Sequence, residues 1–444
     1  MNLPTVILSP LTAAVPAQGG AIEVLVRVQA PEPRALAEGV QAKATPKRLA
    51  LVVDRSGSMS GQPLFEALKC VEHIANAMTP QDQMSVVVYD DAVDVLVPLA
   101  PLQSAQAIKR AIAGVQSGGS TNLFGGWEQG AKQLEKGLDN SISRVILLSD
   151  GQANCGLVDR APIEQHCRDW LAKGVSTTTV GLGSGFNEDL MIAMARAGGG
   201  QQYYGQTAAD LFDSFDEEFS LLQALCLRQL NLTLIPAPGV IIEPLGLVQH
   251  NADGSYRLSD LAWASEAWLM LRLHTSPSAA GQARDLLAAS LQGTTLDGKS
   301  VVAHAGLLSL PAVDAETLQA LPVDESVQRR LQEVEFAQSS QALHQLVQDG
   351  DIKGARTLMK SLETRFGQNP WLQAKLERLR ELAERDPDMM LKEVRFSMMK
   401  MSTRLSVQQE AAYSIDETNL SMPAFLRKKP VEGKGRTGPG KPTL

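Results

Sequence analysis

Asp54 closes the run that most limits what this chain can fold into: Leu49-Ala-Leu-Val-Val, five apolar residues without alternation. A strand with one wet face alternates apolar and polar residues, whereas an unbroken apolar run suits a parallel strand covered by helices on both sides. Three further runs follow, Met84-Ser-Val-Val-Val-Tyr, Val145-Ile-Leu-Leu and Val175-Ser-Thr-Thr-Thr-Val. Between them apolar residues recur at helical spacing over 63–78, 123–138, 161–173 and 189–197, and again over 211–222. Strand and helix in alternation predict an α/β fold, a doubly wound, Rossmann-like sheet over residues 47–224.

The flanks read differently. Ala21-Ile-Glu-Val-Leu-Val-Arg-Val alternates at period two, as a half-buried strand should, and a Pro-containing linker then leads to Pro46. Residues 225–315 hold Leu230-Asn-Leu-Thr-Leu-Ile, Trp268-Leu-Met-Leu-Arg-Leu and Leu286-Leu-Ala-Ala-Ser-Leu, separated by Pro, Gly and Asp-Gly signals. They predict a β-sandwich-like domain. That unit is short alone, so the strands of residues 1–46 are expected to join it, with the α/β domain inserted between. Residues 316–410 predict a helical domain punctuated by Gly350 and Asn369-Pro370. Its last helix carries Met389, Met390, Met398, Met399 and Met401, a pattern expected in core packing. Residues 411–444 turn basic and rich in Gly and Pro, the composition of a flexible tail; Thr418 and Thr437 there are candidate phosphorylation positions and no more.

The bulk figures exclude several classes. A chain of 444 residues with 44% apolar content can bury more than one core. A formal net charge of -8 argues against general binding to nucleic acid or an anionic membrane. No stretch reaches the roughly 20 apolar residues of a membrane span. The first residues lack a basic, then apolar, signal-peptide pattern, and the four cysteines are scattered. Together these predict a cytoplasmic protein with reduced thiols.

The chemistry concentrates at the ends of the apolar runs. Asp54-Arg-Ser-Gly-Ser-Met leaves a predicted strand, and ligands in doubly wound sheets sit outside the carboxyl ends of the strands. Asp54 offers charge, and Ser56 and Ser58 offer neutral hydroxyls. Such hard oxygens suit Mg²⁺, Ca²⁺ or Mn²⁺. Thr121, in Gly118-Gly-Ser-Thr-Asn, adds a third hydroxyl, and Asp150, in Ser149-Asp-Gly at the end of another run, adds a second carboxylate.

Asp-x-Ser-x-Ser, then Thr in a Gly-Gly-Ser-Thr-Asn loop, then Asp-Gly after a strand resembles the metal-ion-dependent adhesion site of von Willebrand factor A (VWA) domains, over roughly residues 47–222. The resemblance implies that Ser56, Ser58 and Thr121 bind a cation directly, and that Asp54 and Asp150 bind it directly or through water. It implies an open coordination position filled by a partner's Asp or Glu carboxylate. The wider layout, with Pro238-Gly-Val and Lys392-Glu-Val-Arg-Phe, is similar to bacterial intracellular VWA proteins. Those relatives imply a scaffold role beside a MoxR-type AAA+ ATPase or a Ser/Thr kinase and phosphatase system.

Other chemistries fit less well. An EF-hand would need Gly and Glu where Met59 and Phe65 stand, and no Gly-Lys-Ser/Thr of a P-loop is present. Cys155, His166 and Cys167 match no common zinc module. The six histidines are dispersed, and no Gly-x-Ser-x-Gly elbow occurs. Asp90 and Asp91 follow a strand near the same rim, as solvated carboxylates or as neighbours that modulate the site. The expectation is a binding protein and no enzyme, with a metal-assisted hydrolase or phosphatase as the alternative.

Overall fold

A computed structural model describes residues 3–31, 45–135, 141–150, 152–183, 186–205, 207–251, 253–385, 387–403, 405–407, 426 and 428. These residues divide into two compact units, one drawn from residues 1–41 and 224–430, the other from residues 42–223. The first unit opens with β1 (Thr5–Pro10), β2 (Val15–Pro16) and β3 (Gly20–Gln29).

The second unit follows as β4 (Lys47–Asp54), α1 (Gln62–Ala77), β5 (Gln83–Tyr89), β6 (Val93–Pro101), α2 (Ala105–Ile112), α3 (Leu123–Gln133), β7 (Ile142–Ser149), α4 (Arg160–Ala172), β8 (Val175–Leu182), α5 (Glu188–Ala197), β9 (Gly199–Gly205) and α6 (Ala208–Ala224). Its strands lie in the order β6-β5-β4-β7-β8-β9. All neighbours are parallel except β5 with β6. Every residue of β4, β7 and β8 is buried, which is why their sequences need no polar alternation.

Helix α3 lies close on the sheet because Gly126 and Gly130, one helical turn apart, present no side chain. A Cβ at Gly126 would collide with the Tyr89 ring, and one at Gly130 with Val52 Cγ2. Strands β6 and β9 and helix α2 are elements that the apolar runs did not announce. The expected helix over 123–138 ends at Gln133 in the structure, with residues 136–140 outside the described set.

At the amino end of the same sheet, Lys47 and Asp82 form an ion pair at 3.1 Å, each almost wholly buried. Burial pushes the Asp82 carboxyl up. The Lys47 and Thr79 backbone N–H groups, the Lys47 ammonium and the Thr79 hydroxyl outweigh it and hold the carboxyl below its ordinary value. A depressed folded-state pKa means that this stabilisation is complete above the unfolded value near 3.9 and is lost as pH falls through the folded one. Asp82→Asn is therefore expected to destabilise the domain by about 3–5 kcal/mol at neutral pH, since it strands a buried lysine. The penalty should shrink below about pH 4, which urea titrations of both proteins across pH would show.

The first unit resumes with β10 (Leu225–Pro236), β11 (Val240–Leu245), β12 (Gln249–His250), β13 (Tyr256–Arg257), β14 (Leu261–Ala262), β15 (Ser265–Thr275), β16 (Ala283–Thr295) and β17 (Ser300–Val313). Helices α7 (Ala315–Ala320), α8 (Glu325–Gln348), α9 (Ile352–Phe366), α10 (Pro370–Arg385) and α11 (Pro387–Thr403) follow, then β18 (Ser406–Val407). Strand β3 pairs antiparallel with β15 along its whole length, giving the sheet β1-β3-β15-β11, while β10, β16 and β17 run through a second sheet. The N-terminal strands thus share a sheet with residues more than two hundred positions away.

Helix α8 packs Val327 and Val334 against Leu25, Trp268 and Met270 of the first sheet. Helices α8 to α11 close their own core around Phe336, Phe366, Trp371 and Leu376, to which Met390, Met398 and Met401 contribute. Of the stretch 411–444, only Leu426 and Lys428 are among the described residues, and both are buried; the expected flexible tail, with Thr418 and Thr437, otherwise lies outside them. No helix among the described residues is long and apolar enough to cross a membrane.

Candidate metal centre

The central strand β4 delivers Asp54 at its last residue, between β5 and β7. Both neighbours contribute to holding it. Asp54 Oδ2 accepts hydrogen bonds from Tyr89 Oη of β5 at 3.1 Å and from Ser149 Oγ of β7 at 2.6 Å. Asp54 Oδ1 accepts the Ser56 N–H at 2.9 Å, which turns the chain sharply after the strand. Ser56 is buried and Ser58 exposed, and their hydroxyl oxygens stand 3.1 Å apart at a short 3-10 turn, Gly57–Met59.

Thr121 comes from the segment before α3. Gly57 N–H donates to Gly119 O at 3.2 Å and Gly118 N–H to Arg55 O at 2.9 Å, so this segment lies against the serine loop. Asn122 caps α3 by accepting the Gly125 N–H at 3.0 Å. The loop after β7 reaches the same place. The Asn154 side chain accepts the Thr121 N–H at 2.7 Å, and the N–H groups of Asn154 and Cys155 donate to Thr121 O. Asp150 is buried at the carboxyl end of β7, and its Oδ1 accepts the Gln152 N–H at 3.1 Å.

The three segments named from the sequence are therefore adjacent, and four of the five candidate donors, Asp54, Ser56, Thr121 and Asp150, are buried there, with Ser58 open to solvent. Burial raises the Asp54 carboxyl, the Ser149 and Ser56 hydrogen bonds pull it down, and the charge of Asp150 pushes it up again. No Lys or Arg among the described residues pairs with either carboxylate. A divalent cation would relieve both the burial penalty and the mutual repulsion. In an octahedral Mg²⁺ site, adjacent oxygens at the usual bond length are about 2.9 Å apart, so the 3.1 Å spacing of the serine hydroxyls suits two neighbouring ligands. The residues present fit such an ion.

The zinc alternative finds no support in the packing. Cys167 is buried, and burial followed by Glu164 pushes its thiol far above the ordinary range. The His166 ring lies 4.8 Å from that of Phe124. No group of three His, Cys, Asp or Glu side chains is placed to hold a metal among the described residues.

Residues unnamed by the motif support the donors: Tyr89, Ser149 and Asn154. Their signal was faint, a strand-terminal Tyr and a Ser preceding an Asp. Asp90 is no solvated bystander, for it binds Arg55. Gly119 carries a further constraint. Its φ is +70°, and a Cβ there would run into Asp91 Oδ1. Gly119→Ala is expected to weaken Mn²⁺ binding about tenfold, since a left-handed alanine costs roughly 1–2 kcal/mol that the loop must absorb. Titration calorimetry with Mn²⁺ would test it, and an unchanged affinity would show that the loop's shape does not matter.

Residues 49–218 match the family described as von Willebrand factor type A domain. The uncharacterized protein sll0103 of Synechocystis is 25% identical over 333 residues, covering 71% of this chain and 77% of that protein. The structure titled von Willebrand factor type A from Catenulispora acidiphila superposes with a TM-score of 0.67 at 16% identity, covering 85% of this chain and 90% of the other. The ArnB paralog VWA2 from Sulfolobus acidocaldarius gives a TM-score of 0.56 at 18% identity, covering 90% and 99%. At such identities the two structures speak for the fold alone.

Proposed function

This chain is a von Willebrand factor type A domain protein, matched over residues 49–218, and on that footing we propose that it captures a protein partner through a divalent cation held by Asp54, Ser56, Ser58, Thr121 and Asp150. Domains of this family typically mediate protein–protein interaction and commonly bind a divalent ion. The observation that carries the reading is the pair of buried carboxylates, Asp54 and Asp150, gathered with the serine loop and the Thr121 segment and paired with no Lys or Arg among the described residues. Mg²⁺ is the proposed resident ion, with Ca²⁺ or Mn²⁺ able to replace it.

Hydroxyl donors leave residual positive charge on a bound ion. An Asp or Glu side chain of a partner then gains a ligand bond and charge neutralisation together. Ser58, the exposed donor, marks the side from which such a group approaches. The hydrolytic alternative needs a base beside the site. Tyr89 is the titratable phenol there. Burial and then the Asp54 charge hold its hydroxyl well above the ordinary range, and it donates to Asp54, so it is poorly suited to take a proton.

The test is capture from lysate by the full chain with Mg²⁺, with EDTA, and with Asp54→Ala/Ser56→Ala in place of the native residues. Proteins retained with Mg²⁺ and lost in both other arms support the reading. The same set in all three would reject it, as would Mg²⁺-dependent phosphatase or esterase turnover that Asp54→Ala abolishes. Recovery of a MoxR-type AAA+ ATPase or a Ser/Thr kinase or phosphatase would place the protein in the setting its sequence resembles.

A further inference from the structure

Arg55 lies inside the ligand loop, between Asp54 and Ser56, and it is a cation beside a site for cations. Coulomb's law alone makes it unfavourable there. Its side chain, largely covered, is engaged on the side of β5 and β6. Nε stands 2.9 Å from Asp90 Oδ2, and an Nη lies 2.7 Å from Asp94 Oδ2.

The backbone of the same residues completes a circuit. Arg55 N–H donates to Tyr89 O at 2.8 Å, and Arg55 O accepts the Gly118 N–H at 2.9 Å. Asp90 O accepts the Asn122 N–H at 2.8 Å, and Asp90 Oδ1 accepts the Ala92 N–H at 2.8 Å. The segment carrying Thr121 is thus tied at Gly118 to Arg55 and at Asn122 to Asp90. The Arg55–Asp90 ion pair joins those two anchors. Neither side chain belongs to the five donors.

We propose that Arg55 and Asp90 are positioning residues of the metal centre: their ion pair holds the serine loop and the Thr121 segment in register, and does so against the sign of Arg55's own charge. The inference rests on the metal-site reading above. Side chains that orient ligands typically set metal affinity by about 10- to 100-fold. Asp94 is half-exposed on the edge strand, where water screens its carboxylate's contact with Arg55, so it contributes little to the brace.

The opposed charges make the proposal separable from simple electrostatics. Mn²⁺ binding to the full chain is measured by titration calorimetry and by the electron spin resonance of free Mn²⁺, with circular dichroism to check the fold. A brace predicts that Arg55→Gln and Asp90→Asn both weaken Mn²⁺ about tenfold or more. Charge alone predicts opposite signs, with Arg55→Gln binding more tightly. Arg55→Lys, which keeps the charge and loses the fork, should fall between wild type and Arg55→Gln. Asp94→Asn should shift affinity by no more than about fivefold. Arg55→Gln at or above wild-type affinity overturns the proposal. If Arg55→Gln does not fold, Arg55→Lys decides: wild-type affinity there overturns it too. Ser58→Ala tells the two failures apart: wild-type Mn²⁺ affinity in that variant overturns the metal-site reading and the brace with it, whereas weakened binding there beside wild-type affinity in Arg55→Gln overturns the brace alone.

Discussion

Mg²⁺ at a hundred times its dissociation constant is expected to stabilise the α/β domain by about 2.7 kcal/mol, and Asp54→Asn to remove that gain. The physical basis is the position of Asp54 at the end of β4, wholly buried, with Asp150 raising the cost of its charge. An asparagine keeps an acceptor for the Ser56 N–H, and its amide can donate to the Tyr89 and Ser149 hydroxyl oxygens, which have lone pairs to offer. The fold should therefore survive while the cation loses a charged ligand. In EDTA the variant is expected to be at least as stable as the native chain, because an uncompensated buried charge has gone. The order of stabilities thus reverses between EDTA and Mg²⁺. Calorimetry in the two buffers checks it, and an equal response of both proteins to Mg²⁺ would mean that Asp54 is not a ligand.

Trp127→Ala is expected to cost about 3–5 kcal/mol of domain stability, the usual range for deleting a large buried aromatic side chain. Trp127 sits on α3 with no exposed surface, packed beside Phe124. Its Nε1 donates to Thr177 Oγ1 of β8 at 3.0 Å. Alanine would leave a cavity under the helix and a buried hydroxyl without its donor. Trp127→Phe separates the two effects, since it fills most of the cavity and loses only the hydrogen bond, at about 1–3 kcal/mol. Because α3 starts directly after Thr121 and Asn122, the alanine variant should also weaken Mn²⁺ binding. Urea unfolding would measure the first effect and Mn²⁺ titration the second; loss of stability with unchanged affinity would show that α3 does not govern the Thr121 segment.

The legible parts of the fold were those where burial alone dictates residue type. β4, β7 and β8 are covered on both faces, so their sequences are nearly free of exposed polar positions, and the helices between them keep a 3.6-residue period. β9 is illegible in the sequence because Gly199-Gly-Gln-Gln-Tyr-Tyr-Gly has no strand pattern of its own; it is a strand through its pairing with β8. β6 is equally hard to read because it lies at the sheet edge, where exposure relaxes the pattern.

The candidate metal centre divides the same way. Asp54, Ser56, Ser58, Thr121 and Asp150 were named from residue type and from their position after apolar runs. Those are local properties, because hard oxygens at the carboxyl end of a buried strand are a matter of composition and spacing. Tyr89, Ser149, Asn154 and the Arg55–Asp90 pair are not local. They act on the donors only because β5 and β7 flank β4 and because the segment before α3 folds back onto the serine loop. Residue type and spacing announced β4, β5, β7 and β8 with most of the helices between them, and named the five candidate oxygen donors. Tertiary structure alone decided which strands became neighbours, and so which side chains hold those donors in place, since strand order and register depend on contacts between residues far apart in the chain.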